Sequence, residues 1–302
     1  MNLSVELAGV RMGNPLMNAS GILGLTSNSL LRLAQAGVGA VVTKSIGREP
    51  RPGFKAPNIV ELEVGLINSM GLPNPGVDEY VKELDRALEA LKVPLIASVY
   101  GCSPEDYRYV STMMCARGAS AVELNVSCPH VKEVGAEVGQ NVELLSEVIK
   151  AVKAAVNVPV FVKLSPNVSR ITTFAKAAEE AGADGLVAIN TVKAMAIDVE
   201  AGRPILGGKF GGLSGPAIKP IALRCVYEIF ETVKIPIIGC GGVTTWEDAV
   251  EFMMAGASAL QIGTAIVHKD LRVFREILAG LSRYLNRKGL RSPSDIIGVA
   301  HR

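Results

Sequence analysis

The sequence predicts an α/β fold, a (β/α)8 TIM barrel that forms a single domain over residues 1–302. Eight short runs rich in β-branched residues alternate with amphipathic stretches along the whole chain, as in a parallel barrel with an outer ring of helices. Several amphipathic stretches end in glycine, as helices often do before a strand. No linker or low-complexity tract divides the chain. The same alternation also allows a doubly wound open sheet, which is the alternative.

The predicted barrel strands follow one another in the chain. They are PLMNASG (15–21), VGAVVTKS (38–45), PLIASVYG (94–101), AVELNVSC (121–128), PVFVKLS (159–165), GLVAINT (185–191), PIIGCGG (236–242) and ALQIGTA (259–265). The helical stretches include NSLLRLAQAG, GVDEYVKELDRALEALK, NVELLSEVIKAVKAAV and ITTFAKAAEEAG. Ahead of the first strand, LSVELAGVRMGNPL predicts a small N-terminal β-hairpin across the bottom of the barrel.

Two connections are long and rich in glycine and proline: residues 46–76 after the second strand, and residues 192–218 after the sixth. Loops of this kind usually act as lids or binding walls. Because barrel enzymes place their sites at the C-terminal ends of the strands, both loops are expected on that face.

The composition is that of an ordinary globular protein, with 49% hydrophobic residues, 20% charged residues and a net charge of +2. No basic run is interleaved with aromatic residues, so no nucleic-acid partner is expected. The first residues do not resemble a signal peptide, and no stretch approaches about 20 uninterrupted apolar residues. We therefore expect no membrane association and a cytoplasmic location.

The five cysteines never form a C-x-x-C pair, and the chain has only three histidines. Zinc and iron–sulfur sites lack their usual ligand spacing, so no metal site is predicted. Four cysteines are expected to be small buried hydrophobic residues: Cys102, Cys115, Cys225 and Cys240. The fifth, Cys128, instead follows a strand in the polar sequence ELNVSCPHV.

The ends of the predicted strands carry polar residues and glycines. In chain order these are Ser20, Lys44, Ser98, Asn125 with Cys128, Lys163, Asn190 with Thr191, Gly241 with Gly242, and Gly263 with Thr264. Glycines after the seventh and eighth strands expose backbone N–H groups, which is the usual phosphate site of this barrel. A tight turn alone would explain either pair, but the two pairs together indicate a phosphorylated ligand.

No carboxylate ends a predicted strand, and Glu123 would point into the barrel. Hydrolysis by paired carboxylates and catalysis driven by histidine therefore have poor support. A catalytic base must come from Cys128, Lys44, Lys163 or a water molecule.

Two asparagines, Asn125 and Asn190, stand at predicted strand ends. Each amide offers one acceptor group and two donor hydrogens. Such groups match a ring with alternating N–H and C=O groups, or the edge of a flavin. A buried asparagine can also be a purely structural amide, although two at strand ends make that interpretation weaker.

Motifs along nearly the whole chain resemble the dihydroorotate dehydrogenases. They are NASGILG (18–24), TKS (43–45), EPRPG (49–53), INSMGLPNPGVD (67–78), ELNVSCP (123–129), VKLSPNV (162–168), AINT (188–191), GLSGPAIKP (212–220), GCGGV (239–243) and QIGTA (261–265). INSMGLPNPG is the most specific of them. The resemblance implies an FMN enzyme that oxidises dihydroorotate to orotate in pyrimidine synthesis. A base takes the proton from C5, and the hydride from C6 goes to flavin N5.

The resemblance also implies roles for individual residues. In the soluble class 1 the base is a cysteine, which the match places at Cys128. The pyrimidine would be held by Lys44, Asn68, Ser69, Met70, Gly71, Leu72, Asn125, Asn190 and Thr191. FMN would be held by Ser20, Lys44, Ser45, Ser98, Asn125, Lys163, Ile189, Gly215, Gly241, Gly242, Gly263 and Thr264. Lys163, near the flavin N1–C2=O edge, would stabilise the anion of the reduced flavin.

The membrane-attached class uses serine as its base and carries an N-terminal anchor, and both features point away from that class here. Within the soluble class, one branch is a homodimer that uses fumarate. The class 1B enzymes instead pair a catalytic subunit with a subunit that carries FAD and a 2Fe–2S cluster, and they pass electrons to NAD. TKSIGREPRPG and NPGVDEY are more similar to class 1B. The resemblance therefore implies such a partner, with a homodimer core or a heterotetramer.

The sequence departs from the family pattern at three positions. Ser98 stands where the family often has asparagine, so its flavin contact would be shorter or bridged by water, and Cys240 replaces a usually apolar residue. His130 also stands where asparagine is frequent, and SCPH resembles the dihydropyrimidine dehydrogenases, which reduce uracil and thymine. That activity is the alternative, although INSMGLPNPG favours the orotate enzymes.

A non-catalytic phosphate-binding barrel that serves as a scaffold is the remaining alternative. The intact candidate catalytic residues argue against it.

Overall fold

The computed structural model describes residues 2–126 and 138–302. In chain order its strands are β1 (Val5–Leu7), β2 (Val10–Met12), β3 (Leu16–Asn18), β4 (Val41–Val42), β5 (Ile59–Leu62), β6 (Gly65–Asn68), β7 (Leu95–Val99), β8 (Ala121–Asn125), β9 (Val160–Leu164), β10 (Gly185–Ala188), β11 (Val192–Ala194), β12 (Ile197–Asp198), β13 (Arg203–Pro204), β14 (Gly211–Ser214), β15 (Ile237–Cys240) and β16 (Ala257–Ile262). Its α-helices are α1 (Ser27–Gln35), α2 (Val77–Leu88), α3 (Pro104–Cys115), α4 (Val142–Lys153), α5 (Ile171–Glu180), α6 (Lys219–Thr232), α7 (Trp246–Met254), α8 (Ala265–Lys269) and α9 (Arg272–Arg287). Short 3-10 helices lie at Val138–Gln140, Pro216–Ile218, Pro293–Ile296 and Val299–His301.

One parallel sheet contains every predicted barrel strand. The order in the sheet is β3, β16, β15, β10, β9, β8, β7 and β4. A bridge between Met17 and Ala40 joins the two outer strands and closes the sheet into a barrel. The prediction of a (β/α)8 TIM barrel is confirmed, and the doubly wound open sheet is wrong because an open sheet would leave β3 and β4 apart.

A side chain holds the seam, the junction between β3 and β4. Asn18 is fully buried; its Oδ1 accepts a hydrogen bond from the backbone N–H of Val42 at 2.8 Å, and its Nδ2 donates to the Val42 carbonyl at 2.8 Å. These are the two bonds that a residue of a paired strand would otherwise make. The Asn18 amide therefore replaces strand pairing where β3 and β4 are too short to supply it.

The N-terminal hairpin closes the bottom of the barrel. β1 and β2 pair antiparallel, with Val5 opposite Met12. Their apolar side chains belong to one cluster with inward-facing residues of the barrel strands, among them Met17, Val42, Ile96, Ala121, Phe161, Val187, Ile238 and Ala259. Since most of these lie in the first half of their strands, the hairpin covers the N-terminal end. The predicted hairpin is confirmed.

The helices cover the outside of the barrel. Side-chain caps begin several of them, at Thr26, Ser103, Asn141 and Thr245, and each oxygen accepts an N–H that the first turn leaves unpaired. The buried residues of α2 recur every three or four positions, which places one apolar face against the strands. Together with the outward-facing strand residues, these faces form a second cluster outside the barrel.

The two long connections meet in one antiparallel sheet, with the order β11, β14, β6 and β5. Gly212 of the second connection pairs with Asn68 of the first, and it also pairs with Lys193 of its own segment. β12 and β13 form a separate small hairpin. The segments expected to be loops therefore contain strands that bind each other, and this sheet forms one wall above the barrel.

The cysteine prediction holds in part. Cys225 and Cys240 are buried as expected, Cys115 is partly exposed, and Cys102 is exposed. The prediction is wrong for Cys102 because this residue lies in the turn after β7, ahead of Ser103 that caps α3, and not on a buried face of a strand or helix.

Within residues 2–126 and 138–302, no helix has the length and apolar composition needed to cross a membrane. In the same ranges, no three His, Cys, Asp or Glu side chains come together as metal ligands would.

Candidate active site

A cavity of about 270 Å³ lies at the C-terminal ends of the barrel strands. Its floor comes from the strand ends, and Ile59, Leu66 and Asn68 of the four-stranded sheet contribute a wall. The predicted site residues that line it are Ser20, Lys44, Ser45, Asn68, Met70, Gly71, Leu72, Asn125, Lys163, Ile189, Asn190, Thr191, Gly215, Gly241, Gly242, Gly263 and Thr264. The residues assigned to the flavin and those assigned to the pyrimidine therefore share one cavity.

One end of the cavity is built from glycines. Gly215, Gly241 and Gly242 all have positive φ angles, of 96°, 126° and 80°. A Cβ atom on Gly242 would lie 2.8 Å from the Gly215 carbonyl oxygen, so a side chain has no room there. Among the described residues, the N–H groups of Gly241, Gly242, Gly263 and Thr264 make no hydrogen bond. This donor set fits a phosphate group.

Lys163 brings a buried positive charge to the cavity floor. Only 4% of the residue is exposed, and its ammonium group donates to Gln261 Oε1 at 2.8 Å and to Ser20 Oγ at 3.5 Å. The nearest carboxylate oxygen, Glu123 Oε1, lies 3.9 Å away. A buried ammonium group needs such partners because removal from water is costly.

The two strand-end asparagines contact each other. Asn190 Nδ2 donates to Asn125 Oδ1 at 3.2 Å, and Asn125 Nδ2 donates to Ser45 Oγ at 3.0 Å. The Tyr107 hydroxyl donates to the Asn125 carbonyl at 3.1 Å, and the backbone N–H of Thr191 donates to Asn190 Oδ1 at 2.8 Å. Both amides are thus oriented by the protein at the cavity edge.

The segment of residues 68–72 is shaped by its neighbours in the first long connection. Gly71 and Leu72 both have left-handed backbone angles, with φ of 71° and 57°. Arg51 Nε donates to the Gly71 carbonyl at 3.0 Å, and the buried Asn74 donates to the Leu72 carbonyl at 2.9 Å. The EPRPG motif therefore supports the INSMGLPNPG motif, since Arg51 fixes a backbone that would otherwise be strained.

Two predicted residues do not reach the cavity. Ser98 and Ser69 are fully buried. The Ser98 hydroxyl lies 3.0 Å from Ser45 Oγ and 3.1 Å from Glu123 Oε1, one layer beneath the floor. The flavin contact that the resemblance implies for Ser98 stays a prediction, and the hydroxyl contacts Ser45 and Glu123 inside the barrel.

Other residues of the site were not predicted from the sequence. Lining residues of this kind are Ala19, Gly21, Ile22, Ile59, Leu66, Ser214, Ile218 and Val267. Gln261, which holds Lys163, stands two positions before Gly263, so strand alternation could have placed it inside the barrel. Cys240 also lines the cavity, and burial raises the pKa of its thiol, which makes it a poor base. Cys128 and His130 lie outside the described residues.

The chain is similar to known proteins over nearly its whole length. The dihydroorotate dehydrogenase family model matches residues 2–285. The chain is 52% identical over 302 residues to the catalytic subunit of dihydroorotate dehydrogenase B (NAD(+)) from Methanocella arvoryzae, covering 100% of this chain and 99% of the relative. It is 53% identical over 298 residues to the protein of the same name from Pyrococcus abyssi, covering 99% of each.

A solved structure shows the same fold. The crystal structure of Eimeria tenella DHODH in complex with ferulenol superposes with a TM-score of 0.88, covers 100% of this chain and 89% of that one, and has 24% sequence identity. At this identity the likeness concerns the fold alone. With the family model matched from residue 2 to residue 285, the chain belongs to the dihydroorotate dehydrogenase family.

Proposed function

We propose that this chain oxidises (S)-dihydroorotate to orotate in pyrimidine synthesis, with FMN as its cofactor. The observation that carries the proposal is the single cavity lined by both the flavin and the pyrimidine residue sets, in a member of this family. The names of the relatives that match over nearly their full length support the same activity.

The cavity residues fit FMN. The N–H groups of Gly241, Gly242, Gly263 and Thr264 would hold its phosphate, because no protein acceptor among the described residues uses them. Lys163 would lie beside the ring system and offset its negative charge on reduction. When bound, FMN would accept the hydride that leaves C6 of dihydroorotate.

Cys128 is the proposed base. The substrate loses a proton from C5 to the thiolate and a hydride from C6, and a C5=C6 double bond forms. The cysteine follows β8, whose last residue is Asn125, and strand ends on this face of a barrel are where catalytic groups lie. Glu123 is committed to contacts inside the barrel, so it does not compete for this role.

Side-chain amides and a positive charge would bind the pyrimidine. Asn68, Asn125 and Asn190 supply donors and acceptors for the ring N–H and C=O groups. The carboxylate of dihydroorotate would meet Lys44 and the backbone N–H groups of residues 70–72, all at the cavity. A charge-assisted hydrogen bond of this kind contributes about 1.5–3 kcal/mol.

We further propose that a second subunit with FAD and a 2Fe–2S cluster passes the electrons to NAD. The support is that the relatives are named catalytic subunits of an NAD(+) enzyme. A homodimer core or a heterotetramer, and a location in the cytoplasm, are parts of the same proposal. Purification from a native source followed by identification of co-purifying subunits and flavins tests it, and recovery of the chain without any such subunit would contradict it.

The cofactor is tested first. The purified chain should be yellow, and chromatography after denaturation should release about one FMN per subunit. A colourless protein that cannot be reconstituted with FMN would falsify the flavoenzyme proposal.

The substrate is tested by anaerobic reduction of the flavin. Dihydroorotate should bleach it rapidly and dihydrouracil hardly at all, since only the former carries a carboxylate, and orotate should compete. The discrimination expected from one charge-assisted bond is about ten- to a hundred-fold. Equal or faster reduction by dihydrouracil would favour the dihydropyrimidine dehydrogenase alternative that His130 raises. His130→Asn should retain the dihydroorotate reaction.

A further inference from the structure

Glu123 is a fully buried carboxylate in the barrel interior, and no step of the proposed reaction uses it. Its Oε1 accepts a hydrogen bond from Ser98 Oγ at 3.1 Å, and its Oε2 accepts a short one from Gln261 Nε2. The Lys163 ammonium lies 3.9 Å from Oε1. Ser98 and Gln261 each donate a hydrogen bond to the carboxylate, and Lys163 adds a nearby positive charge.

The first set of contacts runs from Glu123 to the two asparagines at the cavity. A serine hydroxyl has one hydrogen. Because Ser98 gives its hydrogen to Glu123, Ser45 must be the donor in the Ser45–Ser98 bond of 3.0 Å. Ser45 Oγ is then free to accept from Asn125 Nδ2, which turns Asn125 Oδ1 toward Asn190. The acceptor Glu123 therefore sets the orientation of the Asn125 and Asn190 side-chain amides at the cavity.

The second set of contacts runs from Glu123 to Lys163. Gln261 directs its Nε2 at the carboxylate, so its Oε1 faces the ammonium group, at 2.8 Å. The neutral amide therefore makes the close contact, and the carboxylate remains 3.9 Å from Lys163. Lys163 and Glu123 therefore form a long ion pair without a hydrogen bond between them, which offsets less of the lysine field at the cavity than a direct contact would.

We propose that Glu123 and Gln261 are positioning residues: Glu123 fixes the orientation of Asn125 and Asn190 through two serines, and Gln261 holds the Lys163 ammonium at the cavity and keeps the Glu123 carboxylate out of hydrogen-bond contact with it. The inference rests on the proposed function, because it assigns these residues an effect on FMN and on the pyrimidine. A serine at position 98 fits this role, because its one hydroxyl donates a hydrogen bond to Glu123 and accepts one from Ser45.

Four variants separate the two sets of contacts. Ser98→Ala breaks the set that leads to the asparagines. Gln261→Glu places a carboxylate directly on Lys163, and it also replaces the amide donor to Glu123 by a second carboxylate. Glu123→Gln removes the charge. The double variant Glu123→Gln with Gln261→Glu restores the number of hydrogen bonds but moves the carboxylate next to the ammonium. Gln35→Glu, at an exposed glutamine of α1, is the control for added charge.

The measurements are the KM for dihydroorotate, the affinity of the FMN-free protein for FMN by fluorescence titration, and the midpoint potential of the bound flavin. Ser98→Ala should raise KM about ten-fold and leave the potential unchanged. Gln261→Glu should lower the midpoint potential and weaken FMN binding about ten-fold. The new carboxylate would neutralise the Lys163 charge that otherwise stabilises the reduced flavin. Glu123→Gln should shift the potential upward and raise KM. The double variant should keep the lowered potential, because its carboxylate still contacts Lys163, while the amide at position 123 removes the repulsion between two carboxylates.

The outcomes distinguish the inference from the function on which it rests. A wild-type protein that binds no FMN, or that does not oxidise dihydroorotate, defeats the proposed function. If wild type is active while Ser98→Ala and Gln261→Glu match it and Gln35→Glu in KM, FMN affinity and potential, the positioning roles are wrong. If Glu123→Gln fails to fold, Ser98→Ala and Gln261→Glu still decide the question, since neither leaves Glu123 without a partner.

Discussion

At the scale of single residues, the proposed reaction depends on the ionisation of one thiol. Cys128→Ser should leave FMN binding intact but slow flavin reduction by dihydroorotate strongly at neutral pH. A free cysteine thiol has a pKa of about 8.5. A serine hydroxyl is a far weaker acid, so much less of its basic form exists at neutral pH. The rate should recover as the pH rises, and anaerobic stopped-flow reduction measures it.

Cys102→Ser is the matched control for Cys128→Ser, because Cys102 is exposed and lies away from the cavity lining. It should react like wild type at every pH. A Cys128→Ser protein as fast as wild type at pH 7 would remove Cys128 from the mechanism.

Single residues also show how far the sequence could be interpreted. Lys163, Asn125 and Asn190 were placed correctly because strand alternation and strand ends define where their side chains go. Ser98 was assigned to the flavin, yet its hydroxyl is used by Ser45 and Glu123. These partners lie on β8 and just after β4, the two neighbours of β7 in the sheet, and no local sequence pattern shows which strands are neighbours.

At the scale of elements, Asp248 joins α6 to α7. It accepts hydrogen bonds from Lys219 at 2.7 Å and from the backbone N–H groups of Thr244 and Thr245 at 2.8 and 2.9 Å. Burial alone would raise the pKa of Asp248, but the bonds from Lys219, Thr244 and Thr245 together outweigh it and hold the pKa below its usual value.

A lowered pKa in the folded state means that this stabilisation is fully present above the ordinary carboxyl pKa and is lost as the pH falls through the lower folded value. Asp248→Asn should therefore reduce the free energy of unfolding by about 2 kcal/mol at pH 7, with a smaller difference below about pH 4. Urea unfolding at several pH values measures this. Asp85→Asn, which breaks an exposed pair with Arg117, should cost little at any pH; equal losses for both variants would contradict the role of Asp248.

The four-stranded sheet makes a second prediction at this scale. A Cβ atom on Gly212 would lie 2.0 Å from Thr191 Oγ1, and the Gly212 carbonyl accepts from Asn68 Nδ2 at 3.2 Å. Gly212→Ala should displace both residues, raising KM for dihydroorotate about ten-fold or more with FMN binding nearly unchanged. Gly13→Ala, where a Cβ meets no atom within 4 Å, is the control. Weakened FMN binding with an unchanged KM would show that this sheet does not shape the pyrimidine side.

The strands of this sheet could not be predicted from the sequence. β11 and β14 have three and four residues, too few for alternation to distinguish them from a loop. β14 pairs with β6 across a long stretch of chain, and β11 pairs with β14. Such pairing follows from the barrel that brings β4 and β10 into the same sheet. The content of glycine and proline identified the segments as functional but not as strands.

At the scale of the whole molecule, the barrel could be predicted because the alternation of strand and helix patterns repeats eight times along the sequence. The seam was not predictable, since it depends on the Asn18 side chain. Asn18→Ala would leave the Val42 N–H and C=O unpaired in the interior, and each such group costs about 1–3 kcal/mol. We expect a loss of about 3 kcal/mol in the free energy of unfolding, measured by denaturant titration.

Asn18→Asp keeps the acceptor for the Val42 N–H but directs an oxygen at the Val42 carbonyl, so it should also destabilise the protein. Asn286→Ala, at an exposed position of α9, should change the stability by less than about 0.5 kcal/mol. Wild-type stability in both Asn18 variants would mean that the bridge between Met17 and Ala40 holds the seam alone.

The position of β3 between β4 and β16 has a consequence for protein synthesis. Leu16 pairs with Leu260, so one neighbour of β3, the strand β4, is made soon after it, and the other, β16, is made much later. On a ribosome that adds about 5–20 residues per second, the hairpin and β3 wait while the strands between them and β16 emerge. Their apolar side chains reach Ala259 only after β16 has left the exit tunnel. The hairpin and β3 are therefore made before most of the barrel strands but are buried only when the last of those strands arrives.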